Sequence, residues 1–193
     1  MSRPNTRPWP ARIAFATLAL LAVAALSSPA AAQEVTKKAA AAMKAPYLAD
    51  LEELKTKFVQ LAEAFPDDKM SWRPMDGVRS VAEVLALIAL ELNGAVPQGF
   101  GGSAGMPREQ VLALRTSTNK GELIAAINKA FDHAKAQVVA ADPAALTGKR
   151  PGANGQPRSL FEFVLVIAGD MHEHLGQLIS YARMNRIVPP WSR

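Results

Sequence analysis

Twice in this chain a serine is followed three residues later by a glutamate, and then by a long apolar run. Ser80-Val-Ala-Glu83 and Ser159-Leu-Phe-Glu162 both carry this pattern. In a capping box the serine oxygen takes a free backbone N–H of the first helical turn, and the glutamate reaches back to the serine's own N–H. Asn119-Lys-Gly-Glu122 is a third cap of similar build. Behind each cap the apolar residues recur at three- and four-residue steps, the period of a helix with one buried face. No stretch alternates convincingly enough to predict a strand.

These signals predict four helices. In the first, Leu48, Leu51, Leu54, Phe58, Leu61 and Phe65 form the stripe; Pro46 stands in its first turn or breaks the chain before it, and Pro66 ends it. Residues 33–45, rich in Ala and Lys, are expected to be a flexible lead-in. The second helix runs from Val81 to about Asn93 and is apolar on nearly every face, so it should be buried on more than one side or offer a surface to a ligand or second copy. A connection over 95–118, with a short helix near Pro107 to Leu114, leads to the third helix, striped by Leu123, Ile127, Ala130, Phe131, Ala134 and Val138. The fourth opens at Ser159 and runs to about Met184, and Pro189-Pro190 prevents its continuation. The expected fold class is all-α: a four-helix bundle in up-down-down-up order. The modest loops make antiparallel pairs, and the long connection between helices 2 and 3 crosses the bundle.

The first 32 residues look different. Arg3, Arg7 and Arg12 precede the 14-residue apolar run Ile13 to Leu26, and Ala30-Ala31-Ala32 closes the segment. A positive start, an apolar middle too short to span a bilayer and a small-residue exit predict a cleaved Sec-type signal over 1–32, with export to the periplasm or the extracellular space. An uncleaved anchor is the weaker alternative, since no polar stop follows; with the signal removed, no membrane attachment is expected. Cleavage after Ala32 of the 193-residue chain leaves 161 residues, the size of one domain, placed at 46–193 behind the lead-in. The net charge of +5 falls to +2 without the three signal arginines, so there is no electrostatic case for nucleic acid. There is no cysteine to staple the fold or to act as nucleophile.

The chemistry concentrates in "GDMHEHLGQLI", residues 169–179. Asp170, Glu173, His174 and Gln177 sit at i, i+3, i+4 and i+7 and share a helix face. Asp170 and His174, one turn apart, either hold a divalent ion or hydrogen-bond a neighbouring helix; a protein metal site normally takes three ligands. A carboxylate and an imidazole suit Zn, Ni, Mn or Fe. His172 points about 200° away from Asp170 at the helical 100° per residue. Glu173 and His172 are the candidates for moving a proton if an ion activates water nearby. His133, on the third helix, reads as a boundary histidine. "GFGGSAG" has neither the preceding strand nor the Lys-Ser/Thr of a phosphate loop, and no serine sits in a nucleophile context.

"SWRPMDGVRSVAEVLALIA", with "HEHLGQLISYARMNRIVPPWS" much later, resembles the DinB-like superfamily of helical bundles. The likeness runs from the first helix to Trp191 and implies an up-down-down-up bundle with a divalent metal held by three histidines, one from the second helix and two, four residues apart, from the last. His174 matches the second of that pair and Asp170 stands where the first would be. The second-helix ligand should fall near Leu87, which cannot bind a metal; Glu91, one turn on, is the substitute. Thiol-dependent transferases and hydrolases occur among such proteins. The resemblance therefore implies an exported metalloprotein with ligands His174, Asp170 and Glu91 and a small-molecule substrate. The alternative is a metal-free bundle that binds a small ligand or a protein partner, a homodimer included.

Overall fold

The computed structural model describes residues 35–151 and 155–192. The expected signal over 1–32 and residues 33–34 of the expected lead-in lie outside them. The described chain is all-α apart from one antiparallel pair of two-residue strands, Arg150–Pro151 (β1) and Pro157–Arg158 (β2).

Helix α1 spans Lys37–Ala64. It starts well before Pro46, which lies inside it, so the expected opening beside Pro46 is corrected, and 37–45 are helical. Two causes outweigh the proline, which removes a backbone donor from the ladder. The Ala- and Lys-rich run has high intrinsic helix propensity, and Thr36 caps it, its side-chain oxygen accepting the Ala39 N–H at 3.1 Å. Tertiary contacts add to this: Ala40 and Tyr47 are buried, and the Lys44 ammonium donates to the carbonyls of Val139 (2.7 Å) and Ala141 (2.9 Å). The helix stops at Phe65, whose extended backbone suits a residue before proline.

Helix α2 spans Val81–Asn93 behind the expected capping box: Glu83 N–H donates to Ser80 Oγ at 3.2 Å, and Ser80 N–H donates to Glu83 at 2.7 Å. Its residues Val81, Val84, Leu85, Ile88, Ala89 and Leu92 are buried by the chain itself, while Leu87, Leu90 and Glu91 are only half-buried. The all-round apolar character of α2 is therefore spent largely on its own core. The following connection is more ordered than expected, with α3 at Ala95–Gly99 and α4 at Arg108–Thr116. Gly99 is required where it stands: a Cβ there would lie 1.8 Å from the Phe163 ring. Helix α5 spans Lys120–Ala140 behind the Asn119 cap, and α6 spans Leu160–Met184 behind the Ser159/Glu162 capping box.

Cross-links show how the long helices run. Lys44 near the start of α1 reaches the end of α5, Lys55 pairs with Asp132 at 2.7 Å, and Lys120 at the start of α5 donates to the Phe65 carbonyl at 3.1 Å just past α1. These two helices are antiparallel. Just before α2, the Arg79 carbonyl accepts from Tyr181 late in α6, and at the end of α2 Glu91 meets Asp170 near the middle of α6. That pair is antiparallel too. Asp50 of α1 meets His172 of α6 at 2.9 Å, and Lys57 lies 5.9 Å from the centre of the Trp191 ring beyond α6, so α1 and α6 share a direction. Phe58 and Phe131, both fully buried with ring centres 6.3 Å apart, fill the middle.

Candidate metal centre

The antiparallel pairing of α2 with α6 brings the last full turn of α2 beside the middle of α6. Glu91, Asp170 and His174 meet there, and one ligand atom from each lies within 4.8 Å of the other two. All three are half-buried. His174 Nε2 stands 3.7 Å from Asp170 Oδ1. That is too long for a hydrogen bond, but close to the roughly 3.4 Å that separates neighbouring ligands of one tetrahedral ion with ~2.1 Å bonds.

Electrostatics favour a cation at this point. Glu91 Oε2 is buried and has no hydrogen-bond partner. Burial, then the adjacent Asp170 carboxyl, pushes the Glu91 pKa up to about 8, against a smaller opposing pull from the Arg79 guanidinium. Two carboxyls so close resist being charged together, so in the absence of a cation the pair retains a proton. A divalent ion held by Glu91, Asp170 and His174 would take the place of that proton between the two carboxyls. The one-nitrogen, two-oxygen donor set suits the first-row divalent metals.

The histidine is oriented from behind by a chain of hydrogen bonds whose polarity has a single solution. The Arg79 carbonyl can only accept, so the Tyr181 hydroxyl donates to it at 3.0 Å. The Tyr181 oxygen then accepts from the Gln177 NH2 at 2.7 Å, which turns the Gln177 carbonyl toward His174 Nδ1 at 3.0 Å. Nδ1 must carry a proton, so Nε2 is the ring nitrogen presented to Asp170 and Glu91 for ligation. Tyr181 is itself held by Trp72, whose ring meets it edge-on with centres 5.4 Å apart.

Of the other sequence candidates, His172 turns outward and pairs with Asp50 on α1 at 2.9 Å, and Glu173 is exposed. Neither belongs to the three-residue group: His172 lies on another flank of α6, and Glu173, expected to share the face of Asp170 and His174, is corrected, since it stands at the solvent-exposed edge of that face. His133 Nε2 hydrogen-bonds the Ser103 carbonyl at 2.8 Å, so it serves a loop and is no fourth ligand. Tyr181, not among the candidates from the sequence, is the residue that sequence reasoning missed. Its signal was present: 170, 174, 177 and 181 are successive positions on one helix face.

Beside the group lies an open cleft of about 700 Å3. Leu87 and Leu90 lie along it, Glu91 closes one part, and Arg73, Arg79 and Arg115 contribute guanidinium groups. Leu87, where the resemblance implies a ligand, is thus a hydrocarbon element of the cleft wall.

The family model of the DinB superfamily matches residues 50–178, a span that includes Glu91, Asp170 and His174. No curated protein matches the chain. The chain belongs to the DinB superfamily.

Proposed function

We propose that this DinB-superfamily chain is an exported metalloprotein, an up-down-down-up four-helix bundle in which Glu91, Asp170 and His174 hold one divalent ion for a hydrolase or transferase reaction. The observation that carries the reading is the convergence of Glu91, Asp170 and His174 ligand atoms within 4.8 Å of one another, with His174 Nε2 turned to them by the Gln177 contact at Nδ1. The helix directions support the bundle, since α1 and α6 run one way and are antiparallel to α5 and α2 respectively. The composition of residues 1–32 supports export.

When bound, the ion supplies Lewis acidity at the edge of the cleft. The chain's own groups do the rest. Glu91 and Asp170 provide two negative charges against the two positive charges of the ion, and neutral His174 adds none. Three protein ligands leave a position for a reactant, as catalytic sites require. Leu87 and Leu90 keep the approach partly dry, which strengthens the electrostatics at the edge. A metal-free ligand-binding role is the second reading, favoured by the cleft itself.

Metal analysis tests the proposal. The protein is purified without a histidine tag, supplied with Zn, Ni, Mn and Fe in turn, and its bound metal measured by mass spectrometry. One ion per chain, lost in His174→Ala and in Asp170→Ala, is the expected result. No retained metal, with thermal stability unchanged in excess ion, leaves only the second reading.

A further inference from the structure

The cleft beside Glu91 carries more positive charge than its neighbours account for. Glu83 is occupied: it accepts the Ser80 N–H at 2.7 Å and pairs with Arg73 at 3.2 Å. Arg73 in turn also donates to the Val78 carbonyl at 3.0 Å. Arg79 and Arg115 differ: among the described residues neither comes within 4.0 Å of a carboxylate oxygen, Arg79 acting on Glu91 only at longer range. Both line the cleft and both are exposed to solvent. The backbone of Arg79 is anchored, since its carbonyl accepts the Tyr181 hydroxyl at 3.0 Å, so the start of its side chain is held in place at the cleft. Arg115 comes from the last turn of α4, a different element. Between the charged groups the lining is hydrocarbon, contributed by Ala86, Leu87 and Leu90.

A guanidinium is a rigid fork of donors that matches a carboxylate or phosphate two bonds at a time. Arginines from separate elements that share a cavity with a strip of apolar wall suit a molecule with an acidic group and a short hydrocarbon stretch. We propose that the cleft is the binding site for a small acidic molecule, its carboxylate or phosphate taken by Arg79 and Arg115 and its apolar segment laid over Leu87 and Leu90 toward Glu91. This names the substrate class for the site described above and rests on that reading for the placement of the reacting end, but the binding step depends only on the arginines and the apolar wall.

The test is calorimetric titration of the metal-depleted full chain at low ionic strength with three probes: glutarate, inorganic phosphate and the neutral diamide glutaramide. The titrations are repeated with Zn added. The acidic probes are expected to bind and glutaramide is not. Glutarate tighter than phosphate assigns the site to carboxylates; the reverse order assigns it to phosphates. Each of Arg79→Gln and Arg115→Gln weakens the preferred anion by about tenfold, the value of a charge-assisted hydrogen bond of ~1.5 kcal/mol. Both arginines are exposed and each substitution keeps the backbone, so circular dichroism of the variants should be unchanged. Failure of both anions to bind, or equal binding by the double variant, overturns the proposal. The outcome is separable from that of the metal reading: a protein that takes glutarate but no Zn keeps this site and rejects the metal, and one that takes Zn but neither anion does the reverse.

Discussion

The Tyr181 hydroxyl donates to the Arg79 carbonyl across 3.0 Å, joining residues 102 positions apart in the chain. This one bond sets the polarity of everything behind His174. It forces the Gln177 amide to present its carbonyl to the imidazole, and it ties the start of α2 to the helix that carries two of the three candidate ligands. A buried tyrosine at a helix end thereby becomes part of the site.

Tyr181→Phe therefore does more than remove a bond. The Arg79 carbonyl loses its donor, at a cost of about 1 kcal/mol in thermal or denaturant unfolding. Gln177 becomes free to turn over, and the Nδ1 proton of His174 is no longer enforced. Metal affinity should fall by about tenfold or more, as for other outer-shell partners of a ligating histidine. The 15N shifts of His174 in the metal-free protein should change from the Nδ1–H pattern to a tautomer mixture, an effect that loss of packing alone does not produce.

Glu91→Gln should separate stability from metal binding. In the metal-free protein a half-buried carboxyl pressed against that of Asp170 is a liability once both are charged. A raised acid costs stability above its unfolded value of 4.5, and the cost grows until pH passes about 8, so the neutral amide should raise metal-free stability by at least ~1 kcal/mol at pH 8 and give no gain near pH 4. The same change should abolish the rise in melting temperature on adding Zn or Mn. Thermal melts with and without metal measure both effects.

Acid should weaken the α2 cap. The Ser80 N–H, helped by the Arg73 guanidinium, holds the Glu83 carboxyl below its ordinary value of 4.5. A depressed acid contributes stability that is present above its unfolded pKa and lost as pH falls through the folded one. Glu83→Ala should be less stable than the wild type at pH 7, and the two unfolding curves should converge as pH falls below about 4. A difference that persists undiminished at pH 2 would assign the contribution of Glu83 to packing.

Arg186→Gly should stabilise the C-terminal end of α6. Arg186 has φ +61° and occupies the left-handed position just past the helix, where its N–H bonds the Arg183 carbonyl and the Ile187 N–H bonds the Ala182 carbonyl at 2.8 Å. That position favours glycine, since a side chain there costs on the order of 1–2 kcal/mol. After the entropy that glycine adds to the unfolded chain, a net gain of about 0.5 kcal/mol is expected in chemical denaturation.

The amino-acid sequence alone determined the helices and their starts at Ser80, Asn119 and Ser159, because a cap and its first turn are made by residues three apart. It also determined that Asp170, His174 and Gln177 share a face, since helical periodicity needs no partner; Glu173, expected with them, is exposed. It misplaced the start of α1, where the local penalty at Pro46 is outweighed by the Ala- and Lys-rich run, the Thr36 cap and, in addition, contacts from Lys44 to residues 95 and 97 positions away. Only the tertiary structure decided that His172, already turned off the site by its place on the helix, would pair with Asp50, and that a backbone carbonyl, invisible in any residue pattern, would orient the Gln177 amide behind His174. The meeting of Glu91 with Asp170 and His174 likewise needed α2 to lie antiparallel on α6 in one register. Hydrogen bonds along a helix are written in neighbouring residues, whereas contact between helices is set by how whole apolar faces pack, and that becomes definite only when all of them are buried together.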